Sequence, residues 1–224
     1  MINHWFEPSF PINVIYDITT YLLSFFIFYY LFKKKIINTN LFYLSIISLL
    51  TPFFFNGFLF HWSYLPDQSK YIAEANNLRQ TFLNNPLDFN GFIKSLNMNS
   101  LYSTKIKIPA LIYSFSPIIS LETFKGVAIW NRALFLLMII FLIKKNYCDN
   151  LFKLIFFLSP SLILFSSVSL RENLIIIIMI LFLYFYFKGN RIGTYFSIFT
   201  IFLIKIKNIF IIFLFVILDS LFSD

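Results

Sequence analysis

The sequence predicts an all-α polytopic membrane protein of six or seven transmembrane helices, with an amphipathic helix in a long outer loop. Three observations carry this expectation. Apolar residues make up 59% of the 224, and 33 of them are Phe, a composition foreign to soluble domains. Short Lys/Arg clusters punctuate the apolar runs and supply most of the net charge of +8, so the charge reports topology before any nucleic-acid partner. One long polar segment, residues 61–106, carries charges of both signs. The chain reads as a single transmembrane domain over residues 1–224, with no repeat and no soluble domain. Cys148 stands alone, which excludes an internal disulfide. Glu7 and the lack of a basic N-terminal region argue against a cleaved signal peptide.

In chain order, residues 10–32 form a first span with Asp17 near its outer third. Lys33, Lys34 and Lys35 follow and are expected on the cytoplasmic side, which puts the N-terminus outside. Residues 41–60 return outward and end in an interfacial His61-Trp62 pair. In the outer loop, Tyr71, Ala75, Leu78 and Phe82 recur at i, i+4, i+7 and i+11. That stripe predicts a helix over about 67–83 lying on the membrane surface. Asp67 opens it after Pro66. Residues 84–99 are Asn-rich and read as loop.

Residues 106–120 are apolar but short, and Pro109 and Pro117 interrupt them; they read as re-entrant or interfacial. Residues 121–143 are the next span, with Glu122 and Lys125 at its outer end, Arg132 midway and Lys144-Lys145 inside. Between residues 154 and 187 the only charges are Arg171 and Glu172. At ~1.5 Å per residue that run is about 50 Å long, well beyond a ~30 Å hydrocarbon core. A hairpin is therefore expected, kinked near Pro160 and turning at residues 166–169. Ser169 would be the N-cap of its second helix and Glu172 the partner in a Ser-x-x-Glu capping box. Lys188 and Arg191 then land inside. Residues 193–204 rise to Lys205-Ile206-Lys207-Asn208, and residues 209–218 are apolar again, ending near Asp219. Either one long helix carries two lysines in its middle, or a broken helix presents them to an outer cavity.

Under this topology three sets of charges meet at the outer face: Asp67 with Glu74, Arg171 with Glu172, and Lys205 with Lys207. Arg132 lies deeper and is directed toward them. A carboxylate beside several cations suits transfer from a phosphate-linked donor, the acid taking a proton from an acceptor hydroxyl and the cations holding the phosphate. Each residue also has a plain structural role open to it. Asp67 is a cap, Glu74 a solvated charge, Arg171 a snorkelling side chain, Lys205 and Lys207 interface markers, and Arg132 a packing partner of Asp17. His61 belongs to the interfacial belt. No His/Cys cluster, phosphate loop, Ser-His-Asp set or selectivity filter is present. The cofactor stays unknown; a divalent metal is left open, with no clear ligand set.

Pro66-Asp67-x-x-x-Tyr71-x-x-x-Ala75 after an outward helix resembles the first outer loop of the GT-C superfamily of membrane glycosyltransferases. Leu158-Ser159-Pro160-Ser161, followed by Ser166-Ser167-x-x-Leu170-Arg171-Glu172-x-Leu174, resembles their later hairpin. Lys205-Ile206-Lys207-Asn208 is similar to their basic position near the lipid phosphate. The chain also resembles exopolysaccharide polymerases of the Wzy/EpsG type, which share the outer Asp-x-x-x-Tyr and a Ser-x-x-x-Arg element. The resemblance implies a polyprenyl-phosphate-linked sugar donor at the outer face of the bacterial cytoplasmic membrane, and a glycan or protein acceptor. It implies Asp67 as the catalytic base. Arg171, Lys205, Lys207, Arg132, Glu172, Tyr71 and Glu74 would lie around the lipid phosphate. A non-enzymatic membrane subunit, binding lipid headgroups or a further membrane subunit, is the competing expectation. Nucleic acid is not an expected partner.

Overall fold

The computed structural model describes residues 10–55, 66–86, 88, 94, 101–115, 123–147, 155–168 and 170–222; side chains at 10–13, 66, 67, 101–103 and 124 lie outside the description. His61, Trp62, Pro117, Glu122, Cys148 and the expected Ser169 cap therefore fall outside the described residues. The described chain is all-helical. Its helices are α1 (Phe10–Lys33), α2 (Thr39–Ser48), α3 (Thr51–Phe55), α4 (Pro66–Asn84), α5 (Leu101–Ser114), α6 (Phe124–Lys144), α7 (Pro160–Ser166), α8 (Glu172–Phe187), α9 (Arg191–Ile204) and α10 (Lys207–Phe222).

The expectation of six or seven transmembrane helices does not hold. Among the described residues two helical stretches, Val14–Lys33 and Lys125–Lys144, are long and apolar enough to cross a bilayer. The reason is local. The expected turn after Ser166 and the break at Lys205 both form, and a further break at Leu49-Leu50 cuts a run that composition reads as continuous. The pieces are short: 10 residues in α2, 16 in α8, 14 in α9 and 16 in α10. At 1.5 Å per residue these reach only ~15–24 Å, short of a ~30 Å core.

α6 is the central element. Its Val127, Ala128, Ile129, Ala133, Phe135 and Leu136 are fully buried. α1 runs parallel to it. Asp17 accepts a hydrogen bond from the Thr123 hydroxyl at one end, and Phe28 packs with Phe135, Leu136 and Ile139 further along. α2 folds back on α1, its Phe42 stacking on Phe32 at 5.0 Å. α8 also runs parallel to α6, from Asn173 beside Asn131 to Tyr184 against Phe141. α9 returns along α8. Its Gly193 sits where a Cβ would meet the Phe185 ring at 2.5 Å, so only glycine permits this approach. α10 doubles back again, and Asp219 accepts a 2.8 Å hydrogen bond from the Tyr186 hydroxyl.

α4 departs from the surface helix read from its stripe. Tyr71, Ile72, Ala75 and Leu78 are buried against Ala110 and Tyr113 of α5, Val127 of α6 and Leu174 of α8. Gln68, Asn76 and Arg79 flank the stripe and are buried too, and Arg79 donates to the Ser114 carbonyl at 2.7 and 3.1 Å, while Lys70, Asn77 and Gln80 on the far side are exposed. Phe82 alone of the four stripe residues is exposed. α5 begins at the end of the long polar segment, ahead of the 106–120 run, and carries Pro109 within it.

Three helices end in the same way. Lys35, Asn146 and Gly189 take positive φ after α1, α6 and α8. The next amide reaches back in each case: Ile36 to the Leu31 carbonyl, Tyr147 to Leu142 and Asn190 to Phe185. This is the Schellman arrangement, which satisfies the last orphan carbonyls of each helix.

Candidate functional site

The residues that carry charge into the apolar part of the fold gather where α8 begins. α7 ends at Ser166, and Ser167 turns away, its hydroxyl 2.6 Å from that of Thr51. The next stretch is strapped down by side chains from two other helices. Asn131 of α6 donates to the Val168 carbonyl at 2.7 Å and to that of Leu170 at 3.3 Å. Tyr113 of α5 donates to the Leu170 carbonyl at 2.7 Å. Asn173 donates back to the Asn131 carbonyl at 3.0 Å and to its Oδ1 at 2.9 Å. Burial holds the Tyr113 phenol well above its ordinary pKa, and Tyr71 and Glu172 nearby add to the shift. Tyr113 therefore remains a protonated donor.

α8 starts later than the capping box requires. Arg171 is the N-cap, without a side-chain cap bond, and Glu172 is the first helical residue. Glu172 is thus not the third residue of a helix capped by Ser169. It places a carboxylate in the first turn, where the helix dipole favours one.

Glu172 Oε1 lies 3.8 Å from Arg171 Nε and 3.9 Å from Lys205 Nζ. Lys205 closes α9, and the chain breaks there before α10, so the broken-helix alternative is the one realised. Lys207 opens α10 with an exposed side chain and, among the described residues, does not join the Glu172 pair. On the neighbouring α4–α5 pair, Glu74 meets Lys107 at 3.4 Å; both are largely buried, so Glu74 is not a solvated surface charge. Lys107 was not singled out from the sequence. Asp67 is the second residue of α4, and its side chain lies outside the described residues.

Arg132 faces away from this group. Its guanidinium is 1% exposed and donates to the hydroxyls of Ser48 and Ser166, and it stacks over Phe135 at 5.5 Å. Asp17 is occupied by Thr123, so the Asp17–Arg132 pair does not form. Asn131 and Arg132 thus split the work of one turn of α6: the first holds the α8 entry, the second pins α2 to α7.

No family model, curated protein or solved structure matches the chain.

Among the described residues, Lys107, Arg171 and Lys205 set three cations beside Glu74 and Glu172. Two buried polar atoms here have no hydrogen-bond partner, Arg171 Nε, a donor, and Asn173 Oδ1, an acceptor, and Glu74 Oε1 has only its ion pair with Lys107. A buried polar atom left unmade costs ~1–3 kcal/mol. A ligand offering both an anion and hydroxyl donors would satisfy them together. Asn131, beside this group, lies six residues past Lys125, roughly 9 Å along the span at 1.5 Å per residue. Among the described residues no three His, Cys, Asp or Glu side chains gather to hold a metal.

Tyr113 and Asn131 act on the site through the backbone they hold. Tyr113→Phe removes one buried hydrogen bond, worth ~1 kcal/mol. The expected result is about five-fold faster amide exchange at residues 168–174, with the α1–α6 contact unaffected. Unchanged protection across 168–174 would show that the hydroxyl does not hold the loop.

Proposed function

We propose that the protein is an integral membrane glycosyltransferase that takes its sugar from a polyprenyl-phosphate-linked donor. One observation carries the reading: Arg171 and Lys205 converge on Glu172 beside buried, unfilled donor and acceptor atoms. The cations suit the phosphate of the donor, and the acceptor atoms Glu74 Oε1 and Asn173 Oδ1 suit sugar hydroxyls. A membrane location is supported by the two spans and by outward apolar faces, among them Ile15, Ile18 and Phe26 on α1 and Phe210, Phe213 and Leu214 on α10. Such faces are stable against hydrocarbon and not against water.

In this reading an acceptor hydroxyl oxygen attacks the anomeric carbon while the bond from that carbon to the phosphate oxygen breaks. The leaving electron pair stays on the phosphate, held by Arg171 and Lys205, and the hydroxyl proton passes to the Asp67 carboxylate. Displacement in one step inverts the anomeric centre. The acceptor is a glycan or a protein side chain, and polysaccharide polymerisation of the Wzy/EpsG kind would use the same donor class.

Mass spectrometry of lipids co-purifying with the membrane-extracted protein tests the reading. A polyprenyl phosphate or its sugar conjugate is expected, enriched over its share of the membrane. Bulk phospholipid alone would favour a non-enzymatic subunit whose charges bind headgroups.

A further inference from the structure

The opposite end of the molecule carries a second, predominantly basic feature among the described residues. α1, α6 and α8 run parallel and end together, and each closes in lysine: Lys33 with Lys34 and Lys35, Lys144 with Lys145, and Lys188, with Arg191 opening α9 alongside. All of these side chains are exposed. The clustering is a property of the fold, because the three groups are over forty residues apart in sequence in each step. Tyr147 packs edge-on to Tyr184 at 5.5 Å, which ties the end of α6 to the end of α8. The one acid described here, Asp219, is engaged by Tyr186.

The cations are not simply solvated. Lys33 and Lys34 lie over the rings of Tyr29 and Tyr30 at 5.6 and 5.7 Å, and Lys188 lies over Tyr184 at 5.6 Å. Immediately beside them the helix flanks are apolar and exposed: Phe26 at 57%, Tyr30 at 59% and Phe187 at 64%. Lysine above tyrosine above exposed Phe is the order of groups met on passing from headgroups into hydrocarbon.

We infer that this end is a docking surface for anionic phospholipid headgroups, the lysines contacting lipid phosphates while the adjoining Tyr and Phe side chains enter the acyl boundary. A nucleic acid would be served by the cations alone and would leave the apolar rim facing water. A lipid surface uses both. The inference rests on the membrane reading above, but not on the phosphate site at the other end.

The test titrates the full-length, detergent-solubilised protein with short-chain phosphatidylglycerol, short-chain phosphatidylcholine or a single-stranded RNA oligonucleotide, at about 0.15 M salt, reading bound species by native mass spectrometry. Phosphatidylglycerol should bind at least about ten-fold more tightly than phosphatidylcholine. Replacing Lys33, Lys34 and Lys35 by Gln should weaken it about five-fold per lysine, while replacing all three by Arg should retain it. Equal binding of the two lipids, loss in the Arg variant as well as the Gln variant, or a preference for RNA would overturn the inference. Cell fractionation separates the two levels of failure. Recovery in the soluble fraction would overturn the membrane reading itself, whereas a membrane-bound protein without lipid preference would overturn this inference alone.

Discussion

Asp67→Asn is expected to lower glycosyl transfer by about 100-fold or more, because an amide cannot take the acceptor proton. Its effect on folding should be slight. Asp67 is the second residue of α4, where a carboxylate gains from the helix dipole by only ~0.3–1 kcal/mol. Asn serves about as well as Asp at a helix start. The buried face of α4, Tyr71, Ile72, Ala75 and Leu78, is untouched by the change. Donor binding should also persist, since it depends on Arg171 and Lys205. Transfer measured with a polyprenyl-phosphate sugar, beside thermal unfolding of the same preparations, separates these effects. Full activity in Asp67→Asn would remove Asp67 from the chemistry and leave it a helix-start residue.

Arg132→Ala should be the most damaging single change to stability, by ~3 kcal/mol or more. The side chain is among the largest fully buried ones, and its loss opens a cavity in the centre of α6. It also removes charge-assisted bonds to Ser48 and Ser166, which are worth more than neutral ones. Arg132→Met separates the two contributions. It refills the volume without a buried charge, a replacement that is often neutral or stabilising, so its effect should be well under half that of Ala. Unfolding in detergent, followed by helical signal, gives both values. A Met variant as unstable as Ala would mean that the hydroxyl contacts dominate. Neither substitution should change donor affinity, because Arg132 faces α2 and α7 and not the Glu172 group.

These two residues show where sequence reasoning reached and where it stopped. α1 and α6 were legible because each is an unbroken apolar run ending in lysine. The break at Lys205 was legible as one of two options, since a lysine deep in hydrocarbon needs a partner. The number of spans was not. The turn after Ser166 was legible from the length of the 154–187 run, but composition counts through Leu49-Leu50 as if the helix continued, and it does not show that the resulting pieces are too short to span. α4 showed the correct stripe, yet the surface it faces is α5 and not lipid. An amphipathic pattern gives the apolar side and says nothing of what covers it. Of the three Schellman ends only Gly189 has the residue type that favours a positive φ, and it was not read as a cap; Lys35 and Asn146 adopt the same conformation without a glycine. The site divided in the same way. Arg171, Glu172 and Lys205 stood out because charges are rare in apolar runs. Lys107 did not, although it lies between Ile106 and Ile108, because it sits at the edge of the long polar segment. The Tyr113–Asn131–Asn173 clasp was invisible, being made of neutral residues from three helices with no shared spacing. Arg132 stood out, but its partners Ser48 and Ser166 lie 84 and 34 residues away.

The convergence of Arg171 and Lys205 on a lipid phosphate is tested most directly by polyprenyl phosphate binding to the purified protein and to Arg171→Gln, Lys205→Gln and the double variant. Each single change should weaken binding by about ten-fold, the worth of one charge-assisted contact, with helical content and unfolding temperature close to wild type. The double variant should bind at least as weakly as the weaker single. Undiminished affinity in the double variant would contradict the site.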